Sequence, residues 1–165
     1  MTRIQIIAAV AGTFFSTVAL AQSAPAPQIP ERSWTPDELA AIDATGGLGG
    51  SGNAKVQVVT ILGDPSKPGP YSQLLRVGPN AEIAAHHHGG DRVGTVLSGT
   101  WMFGFGTQFD RANLRTLPAG SVYTEPSGGP HFAKTGDEAV TVLITGYGPT
   151  DTVYEKPDDD PTASN

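Results

Sequence analysis

The pattern of hydrophobic and polar positions changes at Val56. From there on, short apolar or alternating runs are separated by clusters of glycine and proline, which is typical of β-strands joined by turns. The pattern predicts strands at 56–62, 71–77, 81–88, 92–98, 100–105, 113–117, 121–126, 131–134 and 139–146. Many short strands of even spacing favour a β-sandwich or a β-barrel.

The segment before Val56 contains one predicted helix. Thr35 is a suitable N-cap, Pro36 suits the first helical position, and Glu38 completes a capping box. We therefore expect a short helix that runs to about Asp43.

The first 21 residues have the features of a secretory signal peptide. Arg3 supplies the positive charge, residues 4–20 are mostly apolar, and Ala19-Leu20-Ala21 is a small-residue cleavage site. The sequence thus predicts export to the periplasm and no membrane association after cleavage. An uncleaved membrane anchor is the alternative.

These features divide the chain into four parts. Residues 1–21 are the predicted signal peptide, 22–54 a Pro- and Gly-rich arm with the short helix, 55–148 the β-barrel, and 149–165 an acidic tail. The start of the tail wraps the barrel, covers a sheet edge or contributes to a homodimer, and the sequence does not choose among these.

Composition excludes several classes of function. The chain has no cysteine, so it forms neither disulfides nor thiolate metal sites. Its formal net charge of −6 argues against nucleic acid and anionic membrane surfaces as partners. A small-molecule substrate or ligand is the partner we expect.

All four histidines lie in two short blocks, at 86–88 and at 131. Because side chains alternate along a strand, His86 and His88 should share one face and His87 should point to the other. Two imidazoles from one strand are a good pair of ligands for a transition metal, and His131 is the remaining histidine. A polar loop tip is the alternative interpretation of the run.

The spacing of these residues resembles the two motifs of the cupin superfamily. Gly78, the His86-x-His88 pair and Gly99 are similar to the first motif, and Gly120-x5-Pro126-x-Gly128-x2-His131 matches the second. The resemblance implies a small all-β jelly-roll barrel. It also implies that His86, His88 and His131 hold one divalent transition metal: Fe, Mn, Ni, Cu or Zn. A cupin that has lost its metal is the alternative.

The first motif is broken at one position. Where the family usually has a glutamate, seven residues before Gly99, this chain has Arg92. A guanidinium cannot ligate a cation, so an inward-pointing Arg92 would bind a substrate carboxylate or another anion. The neighbouring Asp91 has the right chemistry but the wrong strand parity, unless a bulge near Gly89 turns it inward.

A carboxylate from another strand is the second way to complete the site. Tyr123 and Glu125 share one face of the strand 121–126, and an inward orientation would place both in the pocket. Glu125 is then a metal ligand or, like Tyr123, a group that moves a proton. An exposed surface position is the alternative for both Glu125 and Arg92.

The aromatic residues Trp101, Phe103 and Phe105 alternate along one strand and are expected in the core. One or two of them could also form the wall of an apolar pocket at the metal end.

Three functions remain in view. The first is a metalloenzyme of dioxygenase (oxidoreductase), isomerase or lyase type that acts on a small carboxylated or enolisable molecule, as the resemblance implies. The second is a non-catalytic periplasmic cupin that binds or senses a small ligand or metal. A purely structural role with an empty barrel is a third, weaker alternative.

Overall fold

The computed structural model describes residues 29–44 and 50–163. The predicted signal peptide of residues 1–21 lies outside these ranges. In the part of the chain that is described, no helix is long and apolar enough to cross a membrane. The elements are α1 (Pro36–Ala41), β1 (Val56–Leu62), β2 (Gly69–Val77), β3 (Glu82–His87), β4 (Arg92–Ser98), β5 (Thr100–Phe105), β6 (Arg115–Pro118), β7 (Val122–Glu125), β8 (His131–Thr135), β9 (Val140–Gly148) and β10 (Val153–Tyr154), with short 3-10 helices at Arg111–Asn113 and Pro157–Asp159.

Helix α1 begins at the predicted capping box. The Glu38 backbone N–H donates to Thr35 Oγ1 at 3.3 Å, and the Thr35 backbone N–H donates to Glu38 Oε2 at 2.7 Å. The helix ends at Ala41, because Ile42 adopts an extended conformation. Its Leu39 carbonyl accepts a hydrogen bond from Arg76 Nη2 at 2.6 Å, which ties the helix to β2.

The strands form two five-stranded antiparallel sheets, ordered β1-β2-β9-β4-β7 and β10-β3-β8-β5-β6. Inward side chains of both sheets make one core, which includes Val58, Leu75, Val96, Trp101 and Ile144. The predicted all-β sandwich or barrel is confirmed. The strand β10 was not predicted, and it lies in the segment that the sequence assigned to the tail.

Strand register brings the site residues together. His86 on β3 lies directly opposite His131 on β8. A register shift lies between Ile83 and His86 on β3. It allows the side chains of Ile83 and His86 to face the interior together, although the two residues are three positions apart. On the other sheet, Arg92 of β4 lies opposite Glu125 of β7. Because the two sheets face each other, these four side chains meet at one end of the barrel.

One predicted core residue is exposed. Trp101 and Phe103 are 2% and 3% exposed, but Phe105 is 58% exposed, so the prediction was wrong for Phe105. The neighbouring strand β6 begins at Arg115, which lies opposite Phe103. No β6 residue therefore stands beside Phe105, and its ring reaches solvent.

Candidate metal centre

The imidazoles of His86, His88 and His131 converge inside the barrel. One ligand nitrogen of each ring lies within 4.8 Å of those of the other two. The three residues are buried, with exposed fractions of 5%, 1% and 1%. His87 points to the opposite face, as the alternation predicts, and its Nδ1 lies 2.7 Å from Glu155 Oε1.

Each imidazole of the triad is oriented by a backbone carbonyl. Nδ1 lies 2.8 Å from the Ala84 oxygen in His86, 2.5 Å from the Asp151 oxygen in His88, and 3.0 Å from the Gly129 oxygen in His131. A carbonyl oxygen only accepts hydrogen bonds, so Nδ1 carries the proton in all three rings. Nε2 is then the nitrogen with a free lone pair, which is the form that binds a metal.

The triad is held neutral. Burial lowers the pKa of His86 to about 4, with a further decrease from His131. Burial lowers the pKa of His88 to about 2, helped by the charge of Arg92, and burial also lowers the pKa of His131. At neutral pH all three rings are therefore neutral with Nε2 unprotonated, and protons do not compete for the ligand nitrogens.

The unpaired nitrogens fit a cation. Nε2 of His88 and Nε2 of His131 are fully buried, and neither has a hydrogen-bond partner among the residues that the structure describes. Buried polar atoms without a partner are rare, and each calls for a ligand, an ion or a water. Because these atoms are lone-pair donors that face one another, a divalent transition metal is the group that suits them.

A carboxylate lies beside the triad. Glu125 is 3% exposed, and its two oxygens lie at equal distances from two imidazoles: Oε2 is 3.7 Å from His88 Nε2, and Oε1 is 3.7 Å from His131 Nε2. Arg92, itself 4% exposed, orients this carboxylate through Nε and Nη2, which lie 2.6 and 2.5 Å from Oε2. The exposed alternatives for both residues are wrong.

The Arg92 guanidinium keeps Glu125 ionised. Burial alone would raise the pKa of Glu125, but the positive charge of Arg92 and the electrostatic effects of His131 and His88 lower it to about 2. The carboxylate is thus an anion at neutral pH, and it lies next to the nitrogens that would bind a metal.

Asp91 does not reach the centre. It is exposed, and its Oδ1 accepts a hydrogen bond of 2.7 Å from the Ser127 backbone N–H. No bulge turns it inward, so the alternative in which Asp91 completes the metal shell is wrong.

Tyr123 lies in the interior next to these groups. Its ring fills the space above Gly94, where a Cβ atom would come within 2.2 Å of Tyr123 Cζ. Burial raises the pKa of the phenol well above its ordinary value, and the Glu125 charge adds to this effect. The hydroxyl therefore stays protonated and can donate a hydrogen bond, but it cannot act as a base near neutral pH.

The space inside the barrel is small. His86, His131, Arg92 and Glu125 line a cavity of about 20 Å³, together with Ser51 and the apolar side chains of the core.

Similar structures identify the architecture. No protein-family model and no curated protein matches the sequence. The polyketide cyclase RemF from Streptomyces resistomycificus aligns with a TM-score of 0.55 and 19% identity, over 74% of this chain and 85% of that one. A protein with a double-stranded β-helix domain from Klebsiella pneumoniae aligns with a TM-score of 0.53 and 19% identity, over 75% and 98%. This chain has the cupin fold.

A structure described as a cupin shares less. A sugar phosphate isomerase from a cupin superfamily, from Silicibacter pomeroyi, aligns with a TM-score of 0.49 and 18% identity, over 67% of this chain and 73% of that one. The two alignments with TM-scores of 0.55 and 0.53, at 19% identity, show a common fold. The resemblance to cupins that the two motifs predict is confirmed at this level.

Sequence reasoning missed several parts of this site. The Asp151 carbonyl orients His88, and Tyr154 pairs with His86 with ring centroids 5.4 Å apart. The Tyr154 hydroxyl donates to the Ser51 carbonyl, which holds the N-terminal arm at the cavity. The β-forming pair Val153-Tyr154 was the only available signal, because a backbone carbonyl leaves no mark in a sequence.

Proposed function

We propose that this protein is a metal-dependent enzyme that acts on a small organic molecule. His86, His88 and His131 bind one divalent transition metal, and Glu125 is the fourth protein ligand. The observation that carries the proposal is the set of three neutral imidazoles, each with its Nδ1 atom hydrogen-bonded to a backbone carbonyl. In two of these imidazoles, the buried Nε2 atom lacks a hydrogen-bond partner among the described residues.

Glu125 takes the place of the glutamate that the first cupin motif usually supplies. The two positions are neighbours in space, because Arg92 occupies the motif position and lies opposite Glu125 across β4 and β7. Arg92 then acts through Glu125 by orienting its carboxylate. This role differs from the sequence-based hypothesis that Arg92 binds a substrate anion, because its guanidinium is engaged by Glu125.

When bound, the metal would supply a Lewis acid or a redox centre with positions left open for substrate. Imidazole and carboxylate ligands suit Fe, Mn, Ni, Cu and Zn. Tyr123 is protonated and would donate a hydrogen bond to an oxygen atom of the substrate. We therefore favour isomerase, lyase or oxygenase chemistry on a small carboxylated or enolisable compound.

A non-catalytic binding protein is the second candidate. The observation that favours it is the small volume of the cavity at the triad, about 20 Å³, which leaves little room for a reacting molecule. Such a protein would hold a metal or a small ligand without turnover.

The cell compartment is part of the proposal. The Arg3-led apolar segment and the Ala19-Leu20-Ala21 site support export to the periplasm of a bacterium. Fractionation of the producing cell, with N-terminal sequencing of the mature protein, tests this. A mature chain that begins at Gln22 in the periplasmic fraction is the expected result.

Turnover assays separate the two functions. The metal-loaded protein is incubated with diketones, phenols and small carboxylic acids, and oxygen uptake and product formation are measured. Turnover that is lost in His88→Ala and kept in His87→Ala supports the enzyme. Tight binding of one of these compounds without any product supports the binding protein instead.

A further inference from the structure

The cavity at the triad is too small to hold an organic substrate. Its volume is about 20 Å³, whereas a single water molecule already needs roughly 10–15 Å³ on this scale. The cavity therefore accommodates about one water. The body of a substrate must occupy a neighbouring space that adjoins this cavity.

Such a space exists at the edge of the barrel. A groove of about 460 Å³ lies between the edge strands β6 and β7, within the range typical of ligand sites. Its lining is mainly apolar and includes Phe103, Phe105, Arg115, Leu117, Val122 and Tyr123.

One layer of aromatic rings separates this groove from the triad. Phe103 and Tyr123 line both the groove and the inner cavity, and their ring centroids are 4.3 Å apart. On its inner side, Phe103 stacks on the His131 imidazole at 5.3 Å with an interplanar angle of 27°. On its outer side, it contacts the Phe105 ring edge-to-face at 5.1 Å. A molecule in the groove is thus one ring away from a proposed metal ligand.

The groove combines an apolar rim with one cation. Phe105 and Val122 are 58% and 61% exposed, and both line the groove, so they give it an exposed apolar rim. Arg115 is the only charged residue in the lining, and within residues 29–44 and 50–163 it has no ion-pair partner. It lies opposite Phe103, at the side of the groove. A guanidinium in this position suits a carboxylate.

The geometry points to this groove as the substrate site, and to a small aromatic monocarboxylate as the substrate class. The ring packs between Phe105 and Val122, the carboxylate pairs with Arg115, and the reacting end faces Phe103 and Tyr123. This inference rests on the proposed function, because it assigns a substrate class to the same centre.

Binding of two matched compounds to the full-length mature protein tests this. The compounds are 2-naphthoate, an aromatic monocarboxylate, and 2-naphthalenemethanol, its neutral analogue, and their affinities are measured by calorimetry. We expect saturable binding of 2-naphthoate. Arg115→Gln should lower the affinity for 2-naphthoate about tenfold and leave the affinity for the alcohol unchanged, because only the carboxylate loses its partner.

A second variant tests the apolar rim. Val122→Glu places a carboxylate in the groove at an exposed position, and it should weaken 2-naphthoate by about tenfold or more. Leu97→Glu is the matched control, because Leu97 is also exposed, at 43%, but does not line the groove. Val122→Ser, which changes polarity without adding charge, serves if the glutamate variant does not fold.

The outcomes separate this inference from the metal proposal, because the metal content of each sample is measured too. The groove assignment is overturned, whatever the metal content, if the wild type does not bind 2-naphthoate. It is also overturned if the Arg115→Gln and Val122 variants bind 2-naphthoate as tightly as the wild type does. Binding with the expected pattern in a protein that takes up no metal keeps the groove as a ligand site and overturns the metal proposal.

Discussion

Arg92 and Glu125 lie directly opposite each other on β4 and β7, and Arg92 Nη2 is 2.5 Å from Glu125 Oε2. Both side chains are nearly fully buried. The pair places a fixed negative charge beside the imidazoles of His88 and His131, in a barrel that has Arg92 where the motif it resembles usually has a glutamate.

Arg92→Ala should strongly destabilise the fold, because it leaves the Glu125 carboxylate buried and without its counter-charge. We expect a loss of about 3–5 kcal/mol in the free energy of unfolding, measured by urea denaturation of metal-free protein. The double variant Arg92→Met/Glu125→Leu removes both charges and should be closer to the wild type. If Arg92→Ala were as stable as the wild type, Arg92 would not be needed to compensate the buried charge of Glu125.

Glu125→Gln should lower metal affinity, because it keeps the size of the side chain and removes its charge. We expect a decrease of about tenfold or more in competition with a chromogenic chelator. Glu155→Gln is the matched control, since Glu155 pairs with the outward His87. Wild-type affinity in Glu125→Gln would exclude Glu125 as a ligand.

Deletion of the segment after Gly148 should weaken metal binding, although the sequence places the barrel boundary there. The Asp151 carbonyl would be lost, and with it the hydrogen bond that orients His88. We expect a decrease of about tenfold in metal affinity. A chain that ends at Lys156 keeps β10 and should bind as the wild type does; equal affinity in both truncated chains contradicts this role.

The stability of the metal-free protein should fall as the pH is lowered. The unfolded chain takes up protons on its histidines near pH 6.5, whereas burial lowers the pKa of folded His86 to about 4 and of His88 to about 2. Between pH 6.5 and 4 the unfolded state therefore binds more protons, and stability is lost with decreasing pH. His86 alone should lower the free energy of unfolding by about 3 kcal/mol when the pH reaches 4.

Urea denaturation at several pH values, with a chelator present, measures this dependence. The range from pH 6.5 to 5 is the most informative, because carboxylates in an unfolded chain titrate near pH 4. A free energy of unfolding that is constant over this range would contradict the buried, neutral triad.

The sequence was sufficient to predict the triad, because its signals are local. The alternation at His86-x-His88 and the spacing of the Gly120–His131 motif predicted which rings share a face and which strand supplies the third. The division into strands followed from the same kind of local pattern, and it predicted the β-barrel.

The sequence left alternatives open for the parts of the site that depend on how distant strands pair. The opposition of Arg92 and Glu125 is set by the register of β4 and β7, which no local pattern determines. Asp91 remained a candidate for the same reason. Phe105 was predicted in the core because it alternates with Trp101 and Phe103 along the strand. It is exposed because the neighbouring strand β6 begins opposite Phe103 and does not extend beside Phe105.

The metal content of protein purified without an affinity tag tests the central claim most directly. Elemental analysis should find one divalent transition metal per chain in the wild type and in His87→Ala, and little or none in His88→Ala. His87, the last residue of β3, points outward, and the next residue, His88, points into the barrel, so the two form a matched pair. A wild type without metal, or equal metal in both variants, would contradict the account.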